Sequence, residues 1–231
     1  MILKTKKWLD TLCVILSCFL LFTTTSYAEG ISLSGSRVIY PLNEKQISFS
    51  VHNTNDDTTY LIQSWVETED EKKTTDFVVT PPIYQSAPNS ENILRIIASA
   101  TVYPQDRETL YYFKVKAIPG LTNSDDQSRI VIATETQLKF FARPAGLSPK
   151  REKALTLLHF TQQGSTIVAH NPTPYYFTLT NLKLKDSMAN EVMLAPLGQT
   201  SIPLTGRKGD TISYSSINDY GGMDKASSEI K

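Results

Sequence analysis

The sequence predicts an all-β protein built as two sandwich domains. Three observations carry this. Short runs of alternating apolar and polar residues recur along the chain, and no segment shows a convincing amphipathic helical period. A proline- and glycine-bearing break, Arg143-Pro144-Ala145-Gly146-Leu147-Ser148-Pro149, divides the strand-rich sequence in two.

The first 28 of the 231 residues lie outside that fold. Lys4, Lys6 and Lys7 form a basic start, and Thr11–Phe22 is an apolar stretch too short to span a bilayer comfortably. Ser26-Tyr27-Ala28 is a small-x-small cleavage site, which places the mature N-terminus at Glu29. A rival lipoprotein-type site, Ile15-Leu16-Ser17-Cys18, fits less well because apolar residues continue past Cys18.

Gln46–His52 alternates cleanly, with Ile47, Phe49 and Val51 on one face. Tyr60–Glu67, Phe77–Thr80, Asn92–Ile97 and Leu110–Ala117 follow as strands. Polar clusters at Asn53–Thr59, Glu69–Thr75, Ser86–Glu91 and Asn123–Ser128 separate them as turns. Arg129–Pro144 then reads as one unusually long strand. Ile130 and Ile132 share one face, Val131 and Ala133 the other, and no Gly or Pro interrupts it before Pro144. At about 3.3 Å per residue it would span roughly 45 Å, more than twice the length of most strands. One part can serve its own sheet while another part is left for a partner. About seven short strands at this spacing read as an immunoglobulin-like sandwich. Beyond the break a second all-β pattern runs through Leu155–Thr161, Ser165–Asn171, Tyr175–Thr180, Val192–Leu194 and Asp210–Ile217. The expected domains are 29–145 and 146–231.

Composition excludes more than it selects. Both cysteines, Cys13 and Cys18, lie in the predicted signal, so the mature chain has no disulfide, thiol nucleophile or cysteine metal site. Charge is even, with 23 Lys and Arg against 23 Asp and Glu, which gives no sign of nucleic-acid binding. No G-x-S-x-G, phosphate-binding loop, G-x-G-x-x-G or H-E-x-x-H is present. His52, His159 and His170 stand singly in the sequence, and the acidic pairs Asp56-Asp57 and Asp125-Asp126 lack the spacing of a calcium loop. The expectation is a protein that is not an enzyme and takes no metal or cofactor. On the residues alone, Ile130 and Ile132 read as the core of their own sheet, and Arg37 and Lys139 as solvated strand-end cations.

Eight segments, in order, change that balance: SRVIYP at Ser36–Pro41, TYLIQSWVE at Thr59–Glu67, FVVTPP at Phe77–Pro82, ENILRII at Glu91–Ile97, PQDRETLYYFKVKAIP at Pro104–Pro119, LKFFARP at Leu138–Pro144, NPTPYY at Asn171–Tyr176 and INDYG at Ile217–Gly221. With them the chain resembles the periplasmic chaperones of the chaperone/usher pilus pathway, in particular the type 1 pilus chaperone group. The resemblance implies two immunoglobulin-like domains in an L or boomerang arrangement. It implies ATP-independent folding, capping and delivery of pilus subunits to an outer-membrane usher by donor-strand complementation, a form of β-augmentation. Ile130, Ile132 and Thr134 would be the side chains lent to the subunit; Thr134 stands where the family more usually has a larger aliphatic residue. Arg37 and Lys139 would anchor the subunit's C-terminal carboxylate. Glu108, Arg143 and Asp219 would form a charge cluster fixing the domain angle, with Ala142 in place of the usual aromatic before the arginine. The short, cysteine-free stretch Gly120–Arg129 resembles the short-loop chaperones that assemble rod-like pili.

The implied partners are pilus subunits, in one-to-one complexes, and the usher, with no nucleic acid and no stable membrane insertion; the implied location is the periplasm. A donor strand left open invites a weak self-capping dimer. The competing class is a pilus structural subunit or adhesin, which usually carries a disulfide and a free N-terminal extension; neither is evident here.

Overall fold

The computed structural model describes residues 30–99, 103–120 and 130–231. The predicted signal peptide, its cleavage site and the predicted turn Asn123–Ser128 lie outside the described residues.

The N-terminal half contains β1 (Ile31–Leu33), β2 (Arg37–Pro41), β3 (Gln46–Asn53), β4 (Tyr60–Thr68), β5 (Phe77–Thr80), β6 (Ile83–Ser86), β7 (Ser90–Ala98), β8 (Thr109–Pro119) and β9 (Thr134–Arg143). They form two sheets, in the orders β1-β3-β7-β5 and β2-β9-β8-β4-β6. Among the described strands, β2 and β9 are the one parallel pair. Period-two alternation turns one face of each sheet inward. Phe49, Val51, Leu94, Ile96 and Val79 from the first sheet meet Val38, Ile62, Val66, Phe113, Val115 and Phe140 from the second. Phe77 lies at the centre of an aromatic cluster, with ring centroids 5.1 Å from Tyr40, 5.0 Å from Tyr111 and 4.6 Å from Phe140. Edge-on and tilted contacts of this kind add to the area they bury.

The C-terminal half begins with a one-turn helix, α1 (Arg151–Ala154), and a 3-10 turn over Leu155–Leu157. Strands β10 (His159–Gln163), β11 (Thr166–His170), β12 (Phe177–Leu184), β13 (Ser187–Ala189), β14 (Val192–Leu194), β15 (Gln199–Ile202), β16 (Thr211–Ile217) and β17 (Met223–Glu229) follow. One sheet is β10-β11-β15; the other is β13-β12-β16-β17, with β14 also paired to β12. Phe160, Ile167, Phe177, Leu179, Ile202, Ile212 and Tyr214 fill the space between them.

Three expectations need correcting. Leu155–Thr161 is not one strand: Ala154, Leu155 and Leu158 are buried, a helical spacing, while Leu157 is exposed. The histidines do not all stand singly, because the β10–β11 register places His159 opposite His170 with their rings stacked 4.8 Å apart. The long strand starts at Thr134: Ile130–Ala133 lies outside it, and Arg129 falls outside the described residues. Its last ladder partner on β8 is Ala117; beyond it, Ile118 and Pro119 pair only with β4. Among the described residues Ile130–Ala133 therefore has no neighbouring strand to hold it in a ladder.

Candidate functional site

The parallel pairing of β2 with β9 brings the two predicted anchor cations together. Arg37 and Lys139 are direct register partners, so their side chains leave the sheet side by side. The Lys139 ammonium donates to Thr178 Oγ1 on β12 at 2.9 Å and to Glu191 Oε1, between β13 and β14, at 2.9 Å. Arg37 Nη1 donates to the Ile217 carbonyl at 2.9 Å. Its Nε is buried with no hydrogen-bond partner. Burial, reinforced by the like charge of Arg151, holds the Arg37 pKa below its ordinary value. A polar N–H buried without an acceptor costs free energy until an acceptor arrives.

The predicted charge cluster is also assembled. Arg143 ends β9 and holds Asp219 through two parallel bonds, Nη1 to Oδ2 at 2.6 Å and Nη2 to Oδ1 at 2.9 Å. Its Nε donates to Glu108 Oε1 at 2.6 Å, and the second Glu108 oxygen accepts the Tyr176 backbone N–H at 2.7 Å. The Glu108 N–H donates in turn to the Pro174 carbonyl at 2.9 Å. Residues of both halves thus share one hydrogen-bonded network. Burial pushes the Glu108 carboxyl up, with Arg143 opposing it. Burial would also raise Asp219, but the bonds and charge of Arg143 outweigh it and hold this carboxyl below its usual range. Arg143 is raised in return: burial opposes its charge, and Asp219 and Glu108 overcome that. Sequence reasoning missed Arg151, a buried guanidinium 4.0 Å from the centre of the Phe177 ring. It also missed Thr178 and Glu191. None of the three stands in a recognisable motif, and each reaches the site only through the tertiary fold.

The third predicted group lies just before these cations. From Lys139 onward β9 is flanked by β8 on one side and β2 on the other. From Thr134 to Leu138 it has β8 alone, and among the described residues no strand pairs its other edge. Ile130, Ile132 and Thr134 precede or begin this stretch in even register with Leu138 and Phe140, which face the core. Ile130 is 92% exposed and Ile132 72% exposed; Thr134 is exposed too. The result is an unpaired strand edge and a row of exposed aliphatic side chains leading to two cations.

Among the described residues no three His, Cys, Asp or Glu side chains gather to hold a metal, and no helix is long and apolar enough to cross a membrane. The sequence matches the family profile of the pili and flagellar-assembly chaperone PapD N-terminal domain over residues 30–148, and of the pili assembly chaperone PapD C-terminal domain over 153–228. It is 39% identical to the probable fimbrial chaperone protein ElfD of Escherichia coli O157:H7, over 90% of this chain and 91% of that one. It is 37% identical to the chaperone protein FimC of Escherichia coli O6:H1, over 89% and 86% of the two chains. The crystal structure of the periplasmic chaperone SfaE superposes with a TM-score of 0.77 at 37% identity, covering 87% of this chain and all of that one. A similar fold, with a TM-score of 0.77 at 24% identity over 88% of this chain and 97% of that one, is found in the Salmonella enterica SafB chaperone, solved in complex with SafA pilin. The chain belongs to the pilus-assembly chaperone family, non-enzymatic periplasmic proteins with two immunoglobulin-like domains that chaperone fimbrial subunits.

Proposed function

We propose that the chain caps a pilus subunit by adding its β9 edge and the segment before it to the subunit's incomplete sheet. The observation that carries this reading is the one-sided strand edge from Thr134 to Leu138, which ends where β2 begins at Arg37. A client strand laid parallel to β9 on that edge would lie in line with β2. Its C-terminal carboxylate would meet Arg37 and Lys139, whose N–H groups supply charge-assisted bonds. Ile130, Ile132 and Thr134 would enter the client's groove as the missing strand, each isoleucine contributing about 1.5–3 kcal/mol on burial. Anchoring the carboxylate fixes register, and a slip of one residue would turn the wrong face inward.

In this reading residues 1–28 are a signal removed on export, and 29–145 and 146–231 are the two domains. The capped client is passed to the outer-membrane usher, where another subunit's extension replaces the lent strand. In the absence of client, two copies shield each other's open edges as a weak dimer.

Lys139→Ala tests the anchor. The variant should fold, since Lys139 is not part of either core, and should lose co-purification of subunits from periplasm expressing its pilus genes. Complexes recovered at the wild-type yield would overturn the anchoring role. Losing one partner of a paired charge at an interface costs about 2–5 kcal/mol, enough to abolish recovery.

A further inference from the structure

We propose that Glu191 is a built-in substitute for the client's C-terminal carboxylate, holding Lys139 in the idle chaperone and yielding it when a client strand arrives. This rests on the anchoring role given to Arg37 and Lys139 above. Glu191 Oε1 lies 2.9 Å from Lys139 Nζ, within charge-assisted bonding distance. A side-chain carboxylate and a chain-terminal carboxylate are the same acceptor group, so the ammonium already meets the chemistry it would bind. Among the described residues Lys139 is the one group that hydrogen-bonds the Glu191 carboxylate, and the Arg37 guanidinium acts on it through its charge alone.

The two charged sites of this region differ in kind. Arg143 is paired to Glu108, whose side chain is 1% exposed, in a network suited to permanence. Lys139 is paired to Glu191, whose side chain is 53% exposed and sits between two short strands. An ion pair that open to water is weak and easily exchanged. Two carboxylates crowding one ammonium repel each other, so the client's terminus and Glu191 compete.

The competition gives selectivity. Glu191 is tethered beside Lys139, so its effective concentration is on the order of millimolar or more. Small carboxylates and other free anions at lower concentration do not displace it. A client terminus does, because it arrives with a strand's worth of backbone bonds along the β9 edge and so adds energy that a free anion lacks. Glu191 thereby reserves the anchor for a carboxylate attached to a strand. It also keeps the lysine extended into the site while idle.

The test is an NMR titration of the full mature chain with a soluble peptide of about ten alternating valines and threonines ending in a free carboxylate, and with its C-terminal amide. Wild type, Glu191→Gln and Lys139→Ala are compared. Glu191→Gln should bind the free acid about two- to fivefold more tightly than wild type, with the amide unaffected. The Glu191 side-chain carboxyl carbon of the wild type should shift towards a solvated value as the free acid saturates. If Glu191→Gln binds the free acid equally or more weakly, or that carbon does not move, while Lys139→Ala still abolishes the preference for acid over amide, the Glu191 proposal is wrong and the anchor stands. If acid and amide bind alike in all three proteins, the anchor itself fails.

Discussion

Arg143 gains its importance from having two carboxylates and no spare geometry. Its planar fork meets Asp219 through two parallel bonds, and its Nε reaches Glu108. Glu108 is the more costly member to lose, because its carboxylate is almost wholly buried and also receives the Tyr176 N–H. Glu108→Gln should destabilise the protein by about 1–3 kcal/mol, because its single amide oxygen cannot accept from both Arg143 Nε and the Tyr176 N–H and one buried donor is left unsatisfied. Asp219→Asn should cost less, since Asp219 is partly open to water. Urea midpoints of the two variants check the order; Asp219→Asn as the larger loss would contradict it. At this scale the residues that the resemblance named do come together: Glu108, Arg143 and Asp219 share hydrogen bonds, and Arg37 and Lys139 are register partners. What remained invisible was every partner fixed only by folding. Thr178 and Glu191 are ordinary surface-type residues in sequence, and nothing local marks them as the groups that hold Lys139. His159 and His170 read as isolated because their meeting depends on the β10–β11 register.

At the scale of elements, the segment before β9 is the one that departs from its own sequence signal. Its β-branched residues favour a strand, yet Ile130–Ala133 lies outside any ladder because nothing within the described chain offers it hydrogen bonds. Propensity needs a partner to become structure, and here the proposed partner is a client. Ile132→Ser should therefore leave stability within about 0.5 kcal/mol of wild type, as for an exposed site. The same change should weaken client capture by about 1.5–3 kcal/mol, roughly tenfold or more in affinity. Denaturation of the idle protein and competition between wild type and variant for a limiting subunit measure the two effects. A stability loss as large as the binding loss would return Ile132 to the chaperone's own core. Elsewhere the strands with clear alternation were legible: Phe77–Thr80 and Val192–Leu194 fall where periodicity places them, and Gln46–His52 ends one residue short of β3. β17 was not read, because MDKASSE has almost no apolar residues and is held as a strand by its register with β16. Leu155–Thr161 misled for the opposite reason: a leucine-rich run supports either period, and the buried Ala154, Leu155 and Leu158 follow the helical one.

For the whole molecule, pH collects the separate electrostatic choices into one stability curve, and their signs differ. Asp219 has a depressed pKa, so its contribution is present above its unfolded value and is lost as pH falls through the folded one. Glu108 has a raised pKa, so the stability it contributes is present below its unfolded value and is lost as pH rises through the folded one. His170 is lowered by burial first and by the facing His159 ring second; Thr161 Oγ1, 2.8 Å from its Nε2, is its hydrogen-bond partner. A base with a lowered folded pKa is protonated more readily in the unfolded chain. Its penalty is therefore absent well above its ordinary value of 6.5 and grows as pH drops below it. The His170 and Asp219 windows are separate, so they can be told apart. Stability should decline as pH falls below about 6.5, with His170 responsible, and Glu108 opposing it as pH falls towards the ordinary carboxylate value. Below the ordinary carboxylate range it should decline further as Asp219 is protonated and releases Arg143. His170→Gln should flatten the first decline and leave the second, whereas Asp219→Asn should do the reverse. Urea midpoints taken across this range for the wild type and both variants decide it. A first decline unchanged in His170→Gln would assign the near-neutral sensitivity to groups outside the stacked pair.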